Sequence, residues 1–127
     1  AERDSLRVVD DQIGCPTYAP DIAAAIFAVA RRALGEGWQA KYGGVTHMAG
    51  PDAVTWFKFA ELIVAGAALR GGRSVPVSPI STAEYPTPAV RPANSHLSSA
   101  KLASVFDLRL PPLSNSLASC LDRLLKT

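Results

Sequence analysis

Arg91 stands between Val90 and Pro92, with Asn94 and Ser95 close behind, and this run is the chain's best equipment for gripping an anion. A guanidinium offers two parallel N–H bonds where an ammonium offers a point charge, so it matches phosphate oxygens in shape as well as sign. The plainer role for Arg91 is a surface ion pair with Glu84 or Asp107. Asn94 and Ser95 are short polar groups suited to phosphate, and equally suited to fixing a loop's own backbone. Gln12 fits either a ligand-facing or a scaffold role, while Thr17 reads first as a helix N-cap. His47, flanked by apolar residues, reads as a core histidine. Cys15 has no base near it in sequence and reads as an inert thiol. Trp56 and Phe59 read as core, although an aromatic ring can also stack on a base.

These residues need elements to hold them. Leu6–Val9 is a β-branched run that predicts a strand, and the turn-rich Asp10–Pro16 follows it. From Thr17 the pattern turns helical, with Ile22, Ile26, Phe27, Ala30 and Ala33 at helical spacing to about Leu34. Arg31 and Arg32 complement the dipole near its end, and Gly35 and Gly37 stop it. Val45–Ala49 is the next expected strand, turned at Gly50-Pro51-Asp52. Thr55 is placed to cap a helix from Trp56 to about Arg70, with Phe59, Leu62, Ile63 and Ala67 on one face and Gly71-Gly72 beyond it. Ser74–Ile80 reads as an edge strand, because Pro76 and Pro79 exclude it from a sheet centre. Glu84–His96 is an extended, proline-rich loop. Ser98 or Ser99 is expected to cap a short helix through Val105, and a last helix fills about Ser114 to Leu125.

Strands alternating with helices give an α/β class. Two or three short strands with about four helices are thin for an independent domain, and fit better as a lobe packed against a larger sheet. The chain has 127 residues and no initiator Met, and Ala1–Ser5 reads like the tail of a helix, so the sequence predicts a fragment. An apolar fraction of 48% against 19% charged residues excludes a disordered chain. The net charge of +2 is scattered, with no basic run interleaved with aromatics, so no nucleic-acid surface is expected. Cys15 and Cys120 match no ligand spacing, and the longest apolar stretch is too short to span a bilayer. With no signal peptide or disulfide framework, cytoplasmic residence is the expectation and a membrane partner is not. The Pro76–Pro79 spacing that could serve a proline-recognition domain falls inside the expected strand.

Three ordered segments carry a resemblance: Asp11–Thr17 (DQIGCPT), Gly50–Phe59 (GPDAVTWFKF), and Thr82–Ser95 (TAEYPTPAVRPANS) running into Lys101-Leu102. With His47–Gly50, Thr55-Trp56, Tyr85–Leu97 and Leu110-Pro111 at matching distances, the chain resembles the dTDP-4-dehydrorhamnose reductases, which are extended short-chain reductases. Tyr85–Leu97 is the most specific part. The resemblance implies the C-terminal portion of a Rossmann-type α/β fold, with residues 1–127 as the part that binds the sugar nucleotide. It implies a parent enzyme that reduces the C4 ketone of a dTDP-6-deoxy sugar with NADPH, yielding dTDP-L-rhamnose. The NADPH-binding domain is then N-terminal and absent from this chain.

The family's chemistry uses a Tyr-x-x-x-Lys pair, the tyrosine as proton donor and the lysine to lower its pKa. Four residues beyond Tyr18, Tyr42 and Tyr85 stand Ile22, Thr46 and Ala89, and the chain holds no G-x-x-G-x-x-G or G-x-G-x-x-G loop. No catalytic or cofactor-binding residue is therefore assigned here, and the chain alone is not expected to be active. The resemblance implies a dTDP-sugar partner, with Arg91, Asn94 and Ser95 toward the diphosphate and Gln12 and Thr17 toward the sugar–cofactor junction. Some family members hold Mg²⁺ through glutamates, but the matching positions here are Pro20 and Arg123, beside Asp21 and Asp122. No metal site is expected, nor a metal-bridged dimer, and a homodimer of another kind is left open. The alternative reading is a non-catalytic regulatory subunit of the same fold; an upstream Tyr-x-x-x-Lys pair would separate the two.

Overall fold

Leu6–Val9 forms β1 and finds its partner about 70 residues later in β4, Val77–Ile80, with which it runs parallel from Leu6 opposite Val77 to Val9 opposite Ile80. The computed structural model describes residues 3–125. Ala1 and Glu2 lie outside these, and Arg3–Ser5 are not helical, contrary to the expected helix tail. A second small sheet pairs β2 (Ile13–Gly14) antiparallel with β3 (Val54–Thr55). Four helices complete the architecture: α1 (Ala19–Glu36), α2 (Trp56–Ala68), α3 (Ala100–Phe106) and α4 (Leu113–Leu125). Single 3₁₀ turns occupy Ala40–Tyr42 and Thr82–Glu84. This is the α/β layout expected from the sequence, with β4 shorter than Ser74–Ile80 and Pro79 sitting opposite Val8.

Two packing centres hold it together. In one, α2 lies over the parallel pair and against α4. Gly66 permits that approach, because a Cβ there would stand 2.6 Å from Leu121 Cδ1. The Arg70 guanidinium then bonds the Asp122 carboxylate at 2.8 Å and the Gly66 carbonyl at 2.9 Å, joining the two helices. In the other, Ala25 of α1 meets Leu102 and Phe106 of α3, together with Tyr42 and Leu110. Leu102 is fully buried. The Tyr42 ring stacks on Phe106 with centroids 5.1 Å apart, and its hydroxyl donates to Glu36. That bond raises the tyrosine pKa and lowers the glutamate's, as one strong charge-assisted contact should.

Several local expectations are corrected. Thr17 does not cap α1: Tyr18 holds the N-cap position without a side-chain bond, and Pro20 sits in the first turn, where a missing N–H costs nothing. The helix runs to Glu36, past Gly35, and stops at Gly37, whose φ of 74° is left-handed. Val45–Ala49 is not a strand. Side chains satisfy it instead: Lys101 Nζ donates to the Gly43 and Val45 carbonyls, and Ser99 Oγ bonds both the N–H (3.1 Å) and the carbonyl (3.2 Å) of Ala49. Ser99 occupies the N-cap position of α3 but spends its hydroxyl on Ala49 rather than on the helix. His47 is exposed rather than core, its Nδ1 3.3 Å from the Ser98 carbonyl. Trp56 is likewise 45% exposed, while Phe59 is half-buried. Thr55 does cap α2, accepting from the Lys58 N–H at 3.1 Å.

Candidate functional site

In an open α/β sheet, ligands bind beyond the carboxyl ends of the parallel strands, because loops diverge there and leave a crevice. In this chain those ends are Val9 and Ile80, joined by the Asp10 N–H donating to the Ile80 carbonyl at 2.9 Å. Directly beyond them, Asp11 clamps Thr82. Its carboxylate accepts the Thr82 hydroxyl at 2.6 Å and the Thr82 N–H at 2.8 Å. The hydroxyl bond, then the backbone bond, hold the Asp11 carboxyl below its ordinary pKa. Gln12 Nε2 donates to the same threonine hydroxyl at 2.9 Å, and the Gln12 carbonyl receives the Trp56 N–H. Asp10 accepts the Thr55 hydroxyl at 2.6 Å. Glu84 closes this end by accepting from the Ser81 N–H and hydroxyl, which lower its pKa most, and by pairing with Arg7 at 3.0 Å.

The proline-rich segment docks one residue further on. Ile13 donates to the Ala93 carbonyl at 2.8 Å, and its own carbonyl receives both the N–H (2.9 Å) and the hydroxyl (3.0 Å) of Ser95. Gly14 is needed for this approach, since a Cβ there would meet Ser95 Oγ at 3.0 Å. Asn94 bridges Ile13 across the strand, and its side-chain oxygen accepts the His96 N–H at 2.9 Å. Gln12, Asn94 and Ser95 are therefore gathered around Ile13. Their visible bonds are scaffold bonds.

Thr17 and Arg91 stand apart from that group. The Thr17 hydroxyl donates to the Cys15 carbonyl at 2.8 Å and accepts the Gly50 N–H at 3.0 Å, tying two loops together. Arg91 is exposed, two residues before the anchored Ala93, and neither Glu84 nor Asp107 pairs with it. Among the described residues no hydrogen bond or ion pair engages its guanidinium. Sequence reasoning passed over Asp10, Asp11 and Thr82, the residues that fix this end of the sheet. Two consecutive acids after a β-branched strand were one signal, and Asp11 and Thr82 each open a family segment; nothing in either segment said that the two meet across some 70 residues.

Among the described residues, neither Gly14 nor Gly50 leaves open space for a dinucleotide phosphate. Gly14 and Gly50 are both filled by the protein itself, by Ser95 Oγ and by the Pro16 carbonyl 2.7 Å from where a Cβ would stand. Nor, among the described residues, do the positions considered for Mg²⁺ fit a divalent metal. Pro20 and Arg123 cannot ligate one, Asp21 accepts the Ser116 hydroxyl, and Asp122 is held by Arg70. Among the described residues no helix is long and apolar enough to cross a membrane.

The family model described as the RmlD substrate binding domain matches residues 1–126. The dTDP-4-dehydrorhamnose reductase of Sinorhizobium fredii is 45% identical over 108 residues, covering 85% of this chain and 36% of that protein. The enzyme of that name from Burkholderia thailandensis is 40% identical over 131 residues, covering 98% and 43%. A Clostridium acetobutylicum dTDP-4-dehydrorhamnose reductase structure superposes with a TM-score of 0.77 at 30% identity, over 96% of this chain and 39% of that one. A Bacillus anthracis enzyme of that name, in complex with NADP, gives 0.75 at 30% identity, over 92% and 37%. This chain thus spans well under half the length of these relatives. Its short parallel pair, with four helices, is the α/β architecture of the C-terminal portion of such reductases. The chain belongs to the RmlD substrate binding domain family.

Proposed function

We propose that this chain is the sugar-nucleotide-binding part of an NADPH-dependent reductase that converts dTDP-4-dehydro-6-deoxy-L-mannose to dTDP-L-rhamnose. Residues 1–127 supply the substrate side. The dinucleotide, which supplies the hydride when bound, and the Tyr-x-x-x-Lys pair belong to polypeptide outside these residues, so the isolated chain is inactive. The observation that carries this reading is the state of Arg91. Its loop is bolted to Ile13 beyond the carboxyl ends of the parallel strands, yet among the described residues its guanidinium has no partner. A fixed loop presenting an unengaged forked donor suits a diphosphate. Gln12, Asn94 and Ser95 then act chiefly by holding that loop, with any ligand contact added to their scaffold bonds. Thr17 acts through Gly50, fixing the neighbouring turn.

The test uses the polypeptide that includes the dinucleotide-binding portion. Arg91→Ala is expected to raise the KM for the dTDP-sugar about tenfold or more, the loss expected for a bond to a charged group, with kcat little changed. Unchanged KM and kcat would show that Arg91 does not hold the diphosphate.

A further inference from the structure

A recess of about 600 Å³ opens between residues 49–51, the stretch 96–100 that leads into α3, and residues 108–112 ahead of α4. It is lined by none of Gln12, Thr17, Arg91, Asn94 and Ser95. Its walls include Pro51, Leu97 and Leu110, and two cationic or donor side chains, Arg109 and His96, border it. No carboxylate lines it. Arg109 is exposed, and among the described residues no hydrogen bond or ion pair engages either its guanidinium or the His96 imidazole.

We propose that this recess is a second binding site, for a small anionic molecule with a flat apolar body. Arg109 takes its single phosphate or carboxylate, His96 adds an N–H donor, and the body lies against Leu97 and Pro51. The volume falls in the range of sites that enclose a small organic ligand, and mixed linings of this sort hold a ligand by apolar contact and orient it by a few polar groups. A bare anion would leave the apolar walls wet. A neutral molecule would leave the guanidinium with nothing to fork onto, and a cation would meet only positive charge.

The recess is also connected to the loop that carries Arg91. Gly50 in its wall is bonded to Thr17, Ser99 to Ala49, and the His96 N–H to Asn94. An occupant therefore presses on the turn that docks against Ile13, and binding should register there as well as in the recess.

Titration of the protein with phenyl phosphate, followed by amide NMR, tests the proposal. Saturable shifts are expected at Gly50, Leu97 and Leu110, with a smaller response at Ser95, and inorganic phosphate should bind about tenfold more weakly because it leaves the apolar walls unfilled. Arg109→Ala should weaken phenyl phosphate about tenfold, whereas Arg91→Ala should leave it unchanged. Should the alanine variant fail to fold, Arg109→Gln keeps the side-chain length without the charge and gives the same reading. Absence of saturable shifts in the recess overturns the site. So does loss of binding with Arg91→Ala but not with Arg109→Ala, which would put the anion on the proline-rich loop. Equal affinity for inorganic phosphate would overturn the apolar body.

Discussion

Residues 85–91 and 93–99 belong to one proline-rich segment, and the two halves are built on opposite terms. In the first, the structure gives the side chains a single bond, from the Thr87 hydroxyl to the Ala89 carbonyl, and Val90 is fully exposed. In the second, Ala93, Asn94, Ser95 and Ser99 are each bonded to a distant part of the chain or fix the local turn. The difference separates two jobs that composition alone runs together. Tight bonding at 93–99 fixes where the loop leaves the body. Sparse bonding at 85–91 leaves the Arg91 guanidinium available to something that is not protein. A site needs both, because a donor fixed to its own protein cannot bind, and one on an unanchored loop loses entropy on binding.

The contrast can be broken or sharpened by substitution. The largest effect is expected at Leu102, which closes the core directly behind the anchored half: Leu102→Ala should cost about 2–5 kcal/mol in urea denaturation. Ser99→Ala strips both bonds from the buried Ala49 backbone and should cost about 1–3 kcal/mol in the same measurement. If instead it is neutral, the anchoring of 93–99 has been misjudged. Asp11 adds a pH signature. Its folded pKa lies below the ordinary value of 3.8, so its contribution is fully present above that value and is lost as pH falls through the folded one. Asp11→Asn should therefore lower the urea midpoint at neutral pH, and the variant and parent curves should converge below about pH 4. The smallest effect is expected at Arg91: Arg91→Ala should leave stability within about 0.5 kcal/mol, since it has no protein partner to lose.

How much of this was legible in the sequence depended on distance along the chain. The Leu6–Val9 strand, the Thr55 cap and the last helix were readable because a strand's β-branched run, a cap and a helical period are written within a few residues. Thr17 misled because a threonine before an apolar run looks the same whether its hydroxyl turns to the helix or to Gly50, 33 residues away. Val45–Ala49 has the composition of a strand but, among the described residues, no neighbouring strand to pair with, and Ser99 and Lys101 bond its backbone instead. Trp56 reads as core by type, yet its place at the start of α2 beside Gln12 leaves it half in solvent. The family motifs marked whole segments. They could not say that Gln12, Asn94 and Ser95 hold the loop while Arg91 alone among them is left unengaged.

The parallel pairing of β1 with β4 has a kinetic side. Bringing together strands about 70 residues apart costs roughly 2.5 kcal/mol more chain entropy than closing a four-residue hairpin. The backbone bonds of helices α1 and α2 join only near neighbours and can begin to form before that encounter. Pulse-labelled hydrogen exchange is expected to find the Asp10 amide, which bonds the Ile80 carbonyl, protected after those of α2; simultaneous protection would contradict this order. Until the strands meet, their edges are bare and open to other chains. The Asp11–Thr82 clamp sits where they meet, so the end of the sheet that it fixes is assembled last, when the rest of the molecule is already in place.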